Sequence, residues 1–237
     1  MSTQLICCIC LYSDEHLPFV TRAMRCMDSQ KINTAVVWSM CDNCERENRP
    51  IGPHPDRYFR THKQTVGALR NELVARNSDA TFIAHFDVDD FSAPDRLSIQ
   101  LAHIQKTGKL LTGFHNMMFY DVRDDRVMFY QHESPNYALG TSLFYRREAW
   151  ERVKFPDATP EDNKWRMAVG LTNCESISSL RADGTPIMIQ TIHGGNASAQ
   201  IVEGSSRWMK PTPAQEREVR RIMHETMPKV PAGETAR

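Results

Sequence analysis

Three carboxylates follow an apolar run near the middle of the chain, where Ala80-Thr-Phe-Ile-Ala-His-Phe leads into Asp87-Val-Asp-Asp90. The run is short, rich in β-branched and aromatic residues and preceded by Asn77-Ser-Asp79, which predicts a buried strand. Side chains two apart on a strand point the same way, and ligands of open α/β sheets collect at the carboxyl ends of strands. We therefore expect Asp87 and Asp89 to converge on one ligand, and a pair of carboxylates suits Mg²⁺ or Mn²⁺.

Acidic residues also follow strands simply because turns are polar, so the carboxylates alone leave the metal open. The next segment, Ser92-Ala-Pro-Asp95, has the spacing of a capping box at the start of a helix predicted over residues 94–106. We assign Asp95 to that cap and not to a ligand.

Length and charge predict one large α/β domain with a tail. The 237 residues can bury a substantial core. Lys and Arg together number 29, as do Asp and Glu, so no overall field draws the chain to nucleic acid or an anionic membrane. No apolar run approaches the roughly 20 residues that span a bilayer, and the N-terminus lacks a leader pattern. We expect a soluble, cytoplasmic protein without a transmembrane segment.

The seven cysteines suggest core thiols in a reducing compartment. Three of them, Cys7, Cys8 and Cys10, fall inside a predicted buried strand. Cys41-Asp-Asn-Cys44 is a CxxC pair, but a structural zinc site needs two further ligands at a recognisable spacing, and the sequence shows none. A redox pair and a polar turn after a strand remain the alternatives there.

Apolar patterns predict a β-α-β opening, with strands over 4–11 and 34–40 and a helix over 17–29. The absence of GxGxxG and GxxxxGK[ST] argues against a dinucleotide-binding unit and a P-loop. Residues 43–62 are predicted to form an irregular loop, and 65–76 a helix that carries Arg70. Alternation around residues 123–125 predicts a hairpin. Further strands are predicted over 137–145 and 186–192, and a helix starts at Thr159-Pro-Glu-Asp162.

The C-terminal part of the chain differs in composition from the rest. Residues 211–227 are predicted to form a charged helix, and 228–237 are small, polar and predicted to be disordered. We place the domain over 1–205 and the helix and tail over 206–237, and expect the chain from residue 212 to be dispensable for folding.

Four signals occur in one order: the β-α-β start, Arg70-Asn71 before Asp87-Val-Asp-Asp90, Glu161-Asp162 at a helix start, and His193-Gly-Gly-Asn196 after the last strand. With Pro94-Asp-Arg-Leu and Gly140-Thr-Ser-Leu-Phe-Tyr-Arg-Arg, this order over about residues 4–200 resembles a family 2 glycosyltransferase with the GT-A fold. The resemblance implies a Rossmann-like, mostly parallel central sheet flanked by helices, in a single domain with a small antiparallel hairpin region.

The resemblance also implies roles for individual residues. Asp87 and Asp89 would hold Mn²⁺ or Mg²⁺ on the diphosphate of a nucleotide sugar, most simply a UDP-sugar, with His193 near the metal. Tyr12, Asp42, Arg70 and Asp87 would bind the donor. The catalytic base would come from the acidic pair Glu161 and Asp162, with Asp162 the stronger candidate, in a direct displacement with inversion.

Several alternatives stay open. Asp162 is also the third residue of a capping box with Thr159. A metal-dependent nucleotidyltransferase, or a non-catalytic module that binds sugar nucleotides, would fit part of the same pattern. The acceptor is undetermined: a glycan, a lipid-linked sugar, a small molecule or modified nucleic acid. His115, Tyr130, His132 and Tyr137 are candidates for an acceptor cleft or for hairpin packing.

Overall fold

The computed structural model describes residues 4–44, 55–61, 65–194 and 205–227. Two sheets form the framework. The strands of the first sheet are β1 (Leu5–Tyr12), β2 (Ala35–Asp42), β3 (Arg57–Arg60), β4 (Phe82–His85), β6 (Leu111–Thr112) and β9 (Phe144–Arg146). Their order is β3-β2-β1-β4-β9-β6. The first four are mutually parallel and the last two pair antiparallel, which confirms a mostly parallel central sheet.

Helices cover both faces of this sheet. They are α1 (Val20–Asp28), α2 (Val66–Arg76), α3 (Arg96–Thr107), α4 (Arg147–Arg152) and α5 (Glu161–Val169). A further helix, α6 (Pro213–Thr226), packs on the second sheet. Along β1, Ile6 and Cys8 pack with α1 and α3, whereas Cys7 and Ile9 pack with α2, α4 and α5. Burial on both faces explains why the run of β1 is apolar without alternation.

All seven cysteines are buried and free, as predicted for Cys7, Cys8 and Cys10. Cys41 belongs to β2, and burial raises the pKa of its thiol to about 12. A thiol held in its protonated form is a poor nucleophile, so the redox alternative for Cys41 and Cys44 is not supported.

The second sheet contains β5 (Phe91–Ser92), β7 (Asn116–Asp121), β8 (Arg126–Gln131), β10 (Met188–Ile192) and β11 (Trp208–Met209). Its order is β11-β8-β7-β10-β5. The β7–β8 hairpin confirms the prediction around residues 123–125. The hairpin region is nevertheless larger than expected, because β10 joins β7 in parallel and β5 extends the sheet.

Three local predictions need correction. The loop predicted over 43–62 contains β3, which pairs with β2; residues 45–54 and 62–64 lie outside the described residues. The strand predicted over 137–145 begins only at Phe144, after a 3₁₀ turn at Gly140–Ser142. Asp95 occupies the N-cap position of α3 but caps nothing, because its carboxylate pairs with Arg181.

The predicted C-terminal helix is present as α6, and it packs onto the second sheet. Val219, Ile222 and Met223 are buried against Met118, Tyr120, Val127 and Phe129. This burial argues against the expectation that the chain from residue 212 is dispensable for folding, which stays a prediction. Residues 228–237, predicted to be disordered, lie outside the described part. None of the helices in the described residues combines the length and apolar character that a bilayer crossing needs.

Candidate functional site

A cavity of about 700 Å³ opens where β1 and β4 end, between the two sheets. Its walls include α2, the start of α5, and residues of β7, β8, β10 and β11. Six of the residues predicted to bind the donor or metal or to act in catalysis line it: Tyr12, Arg70, Asp87, Asp89, Glu161 and Asp162. The carboxyl edge of the parallel strands therefore brings together side chains that are up to 150 positions apart in the chain.

The acidic segment is a turn and not the continuation of a strand. β4 ends at His85, and the N–H of Asp90 donates to the carbonyl of Asp87 at 3.3 Å. Asp87 and Asp89 therefore do not lie on a strand with their side chains on one face, as was predicted, although both line the same cavity. Asp90 stabilises the turn, because its carboxylate accepts hydrogen bonds from the Thr141 hydroxyl and from the N–H of Thr191.

Arg70 on α2 lies on one side of the acidic turn. Its guanidinium pairs with the carboxylate of Glu161 and lies 3.9 Å from Asp87 Oδ1. Burial raises the pKa of the Asp87 carboxyl, and the nearby Arg70 charge opposes that shift. Glu161 responds in the same way: burial raises its pKa and Arg70 opposes the rise. Arg70 thus partly neutralises a pair of carboxylates that would otherwise repel each other.

Asp162 lies in the first turn of α5. The capping box with Thr159 does not form, because the N-cap residue is Pro160 and no side chain caps the helix. Instead, Asp162 Oδ1 accepts from the N–H of Asn163 at 2.7 Å. Gly140 lies against Asp162, since a Cβ built on Gly140 would be 1.5 Å from Oδ2. The glycine leaves room for this carboxylate at the cavity wall.

On the other side of the acidic turn, one nitrogen each of His16 and His193 and one oxygen of Asp89 lie within 4.8 Å of one another. His193 Nε2 is 3.1 Å from Asp89 Oδ2. Among the described residues, this is the group of His, Cys, Asp and Glu side chains that could hold a metal ion. The structure therefore brings Asp89 and His193 together as predicted, while Asp87 faces Arg70.

Sequence reasoning missed His16. It lies in a 3₁₀ segment, Asp14–Phe19, directly after β1. The signal available was its position: polar residues after β1 reach the same edge of the sheet as the residues after β4, because the two strands are parallel neighbours. In this part of the chain the sequence singled out only Tyr12, the last residue of β1.

Tyr12 and Asp42 end neighbouring strands and are paired in register. Tyr12 lines the cavity, whereas Asp42 is not among the described residues that do. Asp42 accepts from the Tyr58 hydroxyl at 2.6 Å and from the N–H of Cys44 at 2.8 Å. Burial would raise the pKa of Asp42, but these hydrogen bonds outweigh it and the net shift is downward. Tyr58 belongs to β3, in the segment predicted to be an irregular loop.

Aromatic side chains form the opposite wall. Phe119, Tyr130 and Trp208 of the second sheet and Tyr137, which follows β8, line the cavity, and the Tyr130 and Trp208 ring centroids are 5.3 Å apart. His132 stacks on Tyr137 with centroids 3.9 Å apart, and His115 lies near Ser176. Of the four candidates for an acceptor cleft, Tyr130 and Tyr137 are thus on the cavity wall.

The fold matches solved glycosyltransferase structures. S. aureus TarS 1–349 in complex with UDP-GlcNAc superposes with a TM-score of 0.60 at 14% identity, covering 84% of this chain and 62% of that one. The same protein in complex with UDP gives 0.58 at 14% identity, over 80% and 60%. Mannosyltransferase PcManGT from Pyrobaculum calidifontis, in complex with GDP-Man and Mn²⁺, gives 0.56 at 12% identity, over 79% and 56%.

These comparisons define the class of fold: α/β in a single domain, with a mostly parallel central sheet and flanking helices, as in GT-A-like glycosyltransferases. The chain spans about 60% of the length of the TarS 1–349 structures. No protein-family model and no curated protein sequence matches the chain.

Proposed function

We propose that this protein is a glycosyltransferase that moves a sugar, such as a hexose, from a nucleotide diphosphate to an acceptor hydroxyl. The observation that carries the proposal is one cavity at the carboxyl edge of the parallel strands, with His16 and Asp89 on one side and Asp162 on another, and with His193 next to Asp89. Its volume of about 700 Å³ is within the usual range for sites of ligands of this size.

The charge of the cavity supports a metal-dependent donor site. Among the described lining residues, five carboxylates face two guanidinium groups, those of Arg70 and Arg207, and no lysine. A diphosphate in this surrounding would be repelled unless a cation came with it. We propose that Asp89 and His193, with Asp87 beside them, hold Mn²⁺ or Mg²⁺. The bound ion would neutralise charge on the departing diphosphate.

Donor recognition is assigned to the same edge of the sheet. We propose that Tyr12, Asp42 and Arg70 bind the nucleotide and diphosphate, with Asp42 acting through Tyr12 and Tyr58. UDP-sugars are the proposed donors, since TarS is known in complex with UDP and with UDP-GlcNAc. PcManGT, in complex with GDP-Man and Mn²⁺, supports the requirement for a cation.

Asp162 is the proposed base. It lines the cavity, whereas the carboxylate of Glu161 is held by Arg70. Removing the proton of the acceptor hydroxyl as it attacks the anomeric carbon would give direct displacement with inversion, as in family 2 glycosyltransferases. The seven free cysteines suit a reducing compartment, and we propose that the protein acts in the cytoplasm.

The test is incubation with a panel of nucleotide sugars and Mn²⁺, followed by measurement of released nucleoside diphosphate. We expect release from one donor class, and little from Asp89→Ala. Pyrophosphate release from a nucleoside triphosphate and a sugar phosphate would instead indicate a nucleotidyltransferase. Binding of a nucleotide sugar without any release, across a wide acceptor panel, would indicate a non-catalytic module.

A further inference from the structure

We propose that His16 is a third metal ligand, and that the site of His16, Asp89 and His193 prefers first-row transition ions such as Mn²⁺ and Co²⁺ to Mg²⁺. The inference rests on the proposed function for the role of the ion, and it names the class of ion. Ion binding itself can be measured without any donor or acceptor.

The spacing of the group matches a coordination sphere. Two ligand atoms about 2.1 Å from an ion and at right angles are about 3.0 Å apart. His193 Nε2 and Asp89 Oδ2 are separated by 3.1 Å, which is the spacing of adjacent ligands. Ligands on opposite sides of such an ion are about 4.2 Å apart. Because all three ligand atoms lie within 4.8 Å of one another, a small contraction closes the site.

The surroundings of His16 suit a ligand. Its Nδ1 is 2.9 Å from the Ser13 hydroxyl, which can accept the Nδ1 proton and leave Nε2 to bind an ion. In this structure the N–H of Ser13 donates to Nδ1 at 3.2 Å, which places the ring proton on Nε2. Binding an ion through Nε2 therefore requires that proton to shift to Nδ1, where the hydrogen bond to the Ser13 hydroxyl would replace the one from the Ser13 N–H. The His16 and His193 rings are perpendicular, with centroids 5.5 Å apart, and Phe19 packs against His193. These contacts hold both rings near Asp89.

The ligand set decides the ion. Mg²⁺ takes oxygen ligands and keeps several waters, whereas imidazole nitrogen suits transition ions. A site built only from Asp87 and Asp89 would accept Mg²⁺ about as readily as Mn²⁺. Two imidazoles with one carboxylate should instead follow the transition-metal series, with Co²⁺ binding more tightly than Mn²⁺ and Mg²⁺ most weakly.

The experiment titrates the metal-free full chain with MnCl₂, CoCl₂ and MgCl₂ by calorimetry, and records pulsed EPR of bound Mn²⁺ to detect coupled imidazole nitrogen. For the wild type we expect Mg²⁺ to bind at least about 10-fold more weakly than Mn²⁺, and nitrogen coupling in the spectrum. His16→Gln should weaken Mn²⁺ binding about 10-fold or more and reduce that coupling. His224→Gln is the matched control, because this exposed histidine lies on α6 and pairs with Asp125.

Two results would overturn the inference: wild-type protein that binds Mg²⁺ as tightly as Mn²⁺, or folded His16→Gln with wild-type Mn²⁺ affinity and nitrogen coupling. The wild-type measurements decide the ion preference even if the variant fails to fold. If the ions bind as expected but no nucleotide sugar is consumed, the proposed function fails and the metal site stands.

Discussion

Asp162 has two neighbours that define its environment at the cavity wall: its Oδ1 accepts from Asn163, and its Oδ2 lies against Gly140. Asp162→Asn keeps the size of the side chain but cannot take a proton, so we expect single-turnover transfer to slow by roughly 10²–10⁴. Asn is also accepted near helix starts, so unfolding free energy should change by no more than about 1 kcal/mol.

Glu161→Gln is the comparison for the base assignment. It breaks the pair with Arg70 and should alter donor affinity more than the chemical step. Transfer by Asp162→Asn at close to the wild-type rate would remove Asp162 from the mechanism.

A substitution at Gly140 is a second way to perturb the Asp162 carboxylate. A Cβ at Gly140 would lie 2.5 Å from Asp162 Cγ and 2.9 Å from its Cβ, so Gly140→Ala must displace the whole side chain. We expect slower transfer with nearly unchanged donor affinity, measured by single-turnover kinetics and calorimetry. Because both changes act on one group, adding Gly140→Ala to Asp162→Asn should cost little more. Fully additive losses would mean that Gly140 acts elsewhere.

The location of a site residue was predictable where the residue lies next to a strand that the sequence pattern identifies. Asp89 lies beside His193, and Arg70 lies beside Asp87, at the strand edge that the sequence predicted, because each of these residues follows or precedes an apolar strand. His16 was missed because a six-residue 3₁₀ segment has no apolar period that sets its direction. Asp95 was wrongly assigned to capping because its partner, Arg181, lies 86 residues away in sequence.

At the scale of elements, α6 is connected to the cavity through Arg22. This buried guanidinium donates to the Asp89 carbonyl and, at 2.8 Å, to the Thr191 hydroxyl. It also contacts the sulfur atoms of Met223 and Met227, at 3.8 and 3.1 Å. The helix therefore covers the arginine that supports the acidic turn. We keep residue 205 as the proposed limit of the glycosyltransferase domain and infer that α6 stabilises that domain.

Truncating the α6 side chains that cover Arg22 should lower the stability of the fold. Met223 is fully buried, and Met223→Ala should lower the unfolding free energy by about 2–5 kcal/mol, measured by urea denaturation. It should also weaken Mn²⁺ binding, because the support of Asp89 loosens. Arg221→Ala is the control on the exposed face of α6, with an expected change within about 0.5 kcal/mol. A chain ending at residue 211 that melts at the wild-type midpoint would contradict the packing role of α6.

Strands and helices were predictable where burial leaves a regular apolar pattern in the sequence. β1 was clear because helices bury both of its faces. β5 and β11 have two residues each. They form by pairing with β10 and β8, respectively, and no local sequence pattern predicts such pairing. β3 is likewise an edge strand defined by its pairing with β2. The second sheet was therefore underestimated, and with it the aromatic wall of the cavity.

At the scale of the whole molecule, the cavity draws residues from both sheets: Arg70 comes from a helix on the first, and Gln190 and Trp208 from strands of the second. The net charge of the chain is zero, yet the cavity concentrates carboxylates. Composition conceals this separation of charge, because only folding brings Glu15, Asp87, Asp89, Glu161 and Asp162 together. A ligand bound between the sheets should therefore stabilise the entire fold. An anionic ligand should do so only when a cation compensates its charge.

This predicts linkage between ion, nucleotide and stability. With UDP and Mn²⁺ together, at about 100 times the dissociation constant, the native state should gain about 2.7 kcal/mol. For a chain of this length that corresponds to a rise in melting temperature of roughly 5–10 °C. UDP in EDTA should give a much smaller rise, because the diphosphate meets uncompensated carboxylates. Asp89→Ala should lose the joint effect while its own melting curve stays cooperative. If UDP stabilises the wild type equally in EDTA and in Mn²⁺, then Arg70 and Arg207 alone neutralise the diphosphate, and the ion has no part in holding the donor.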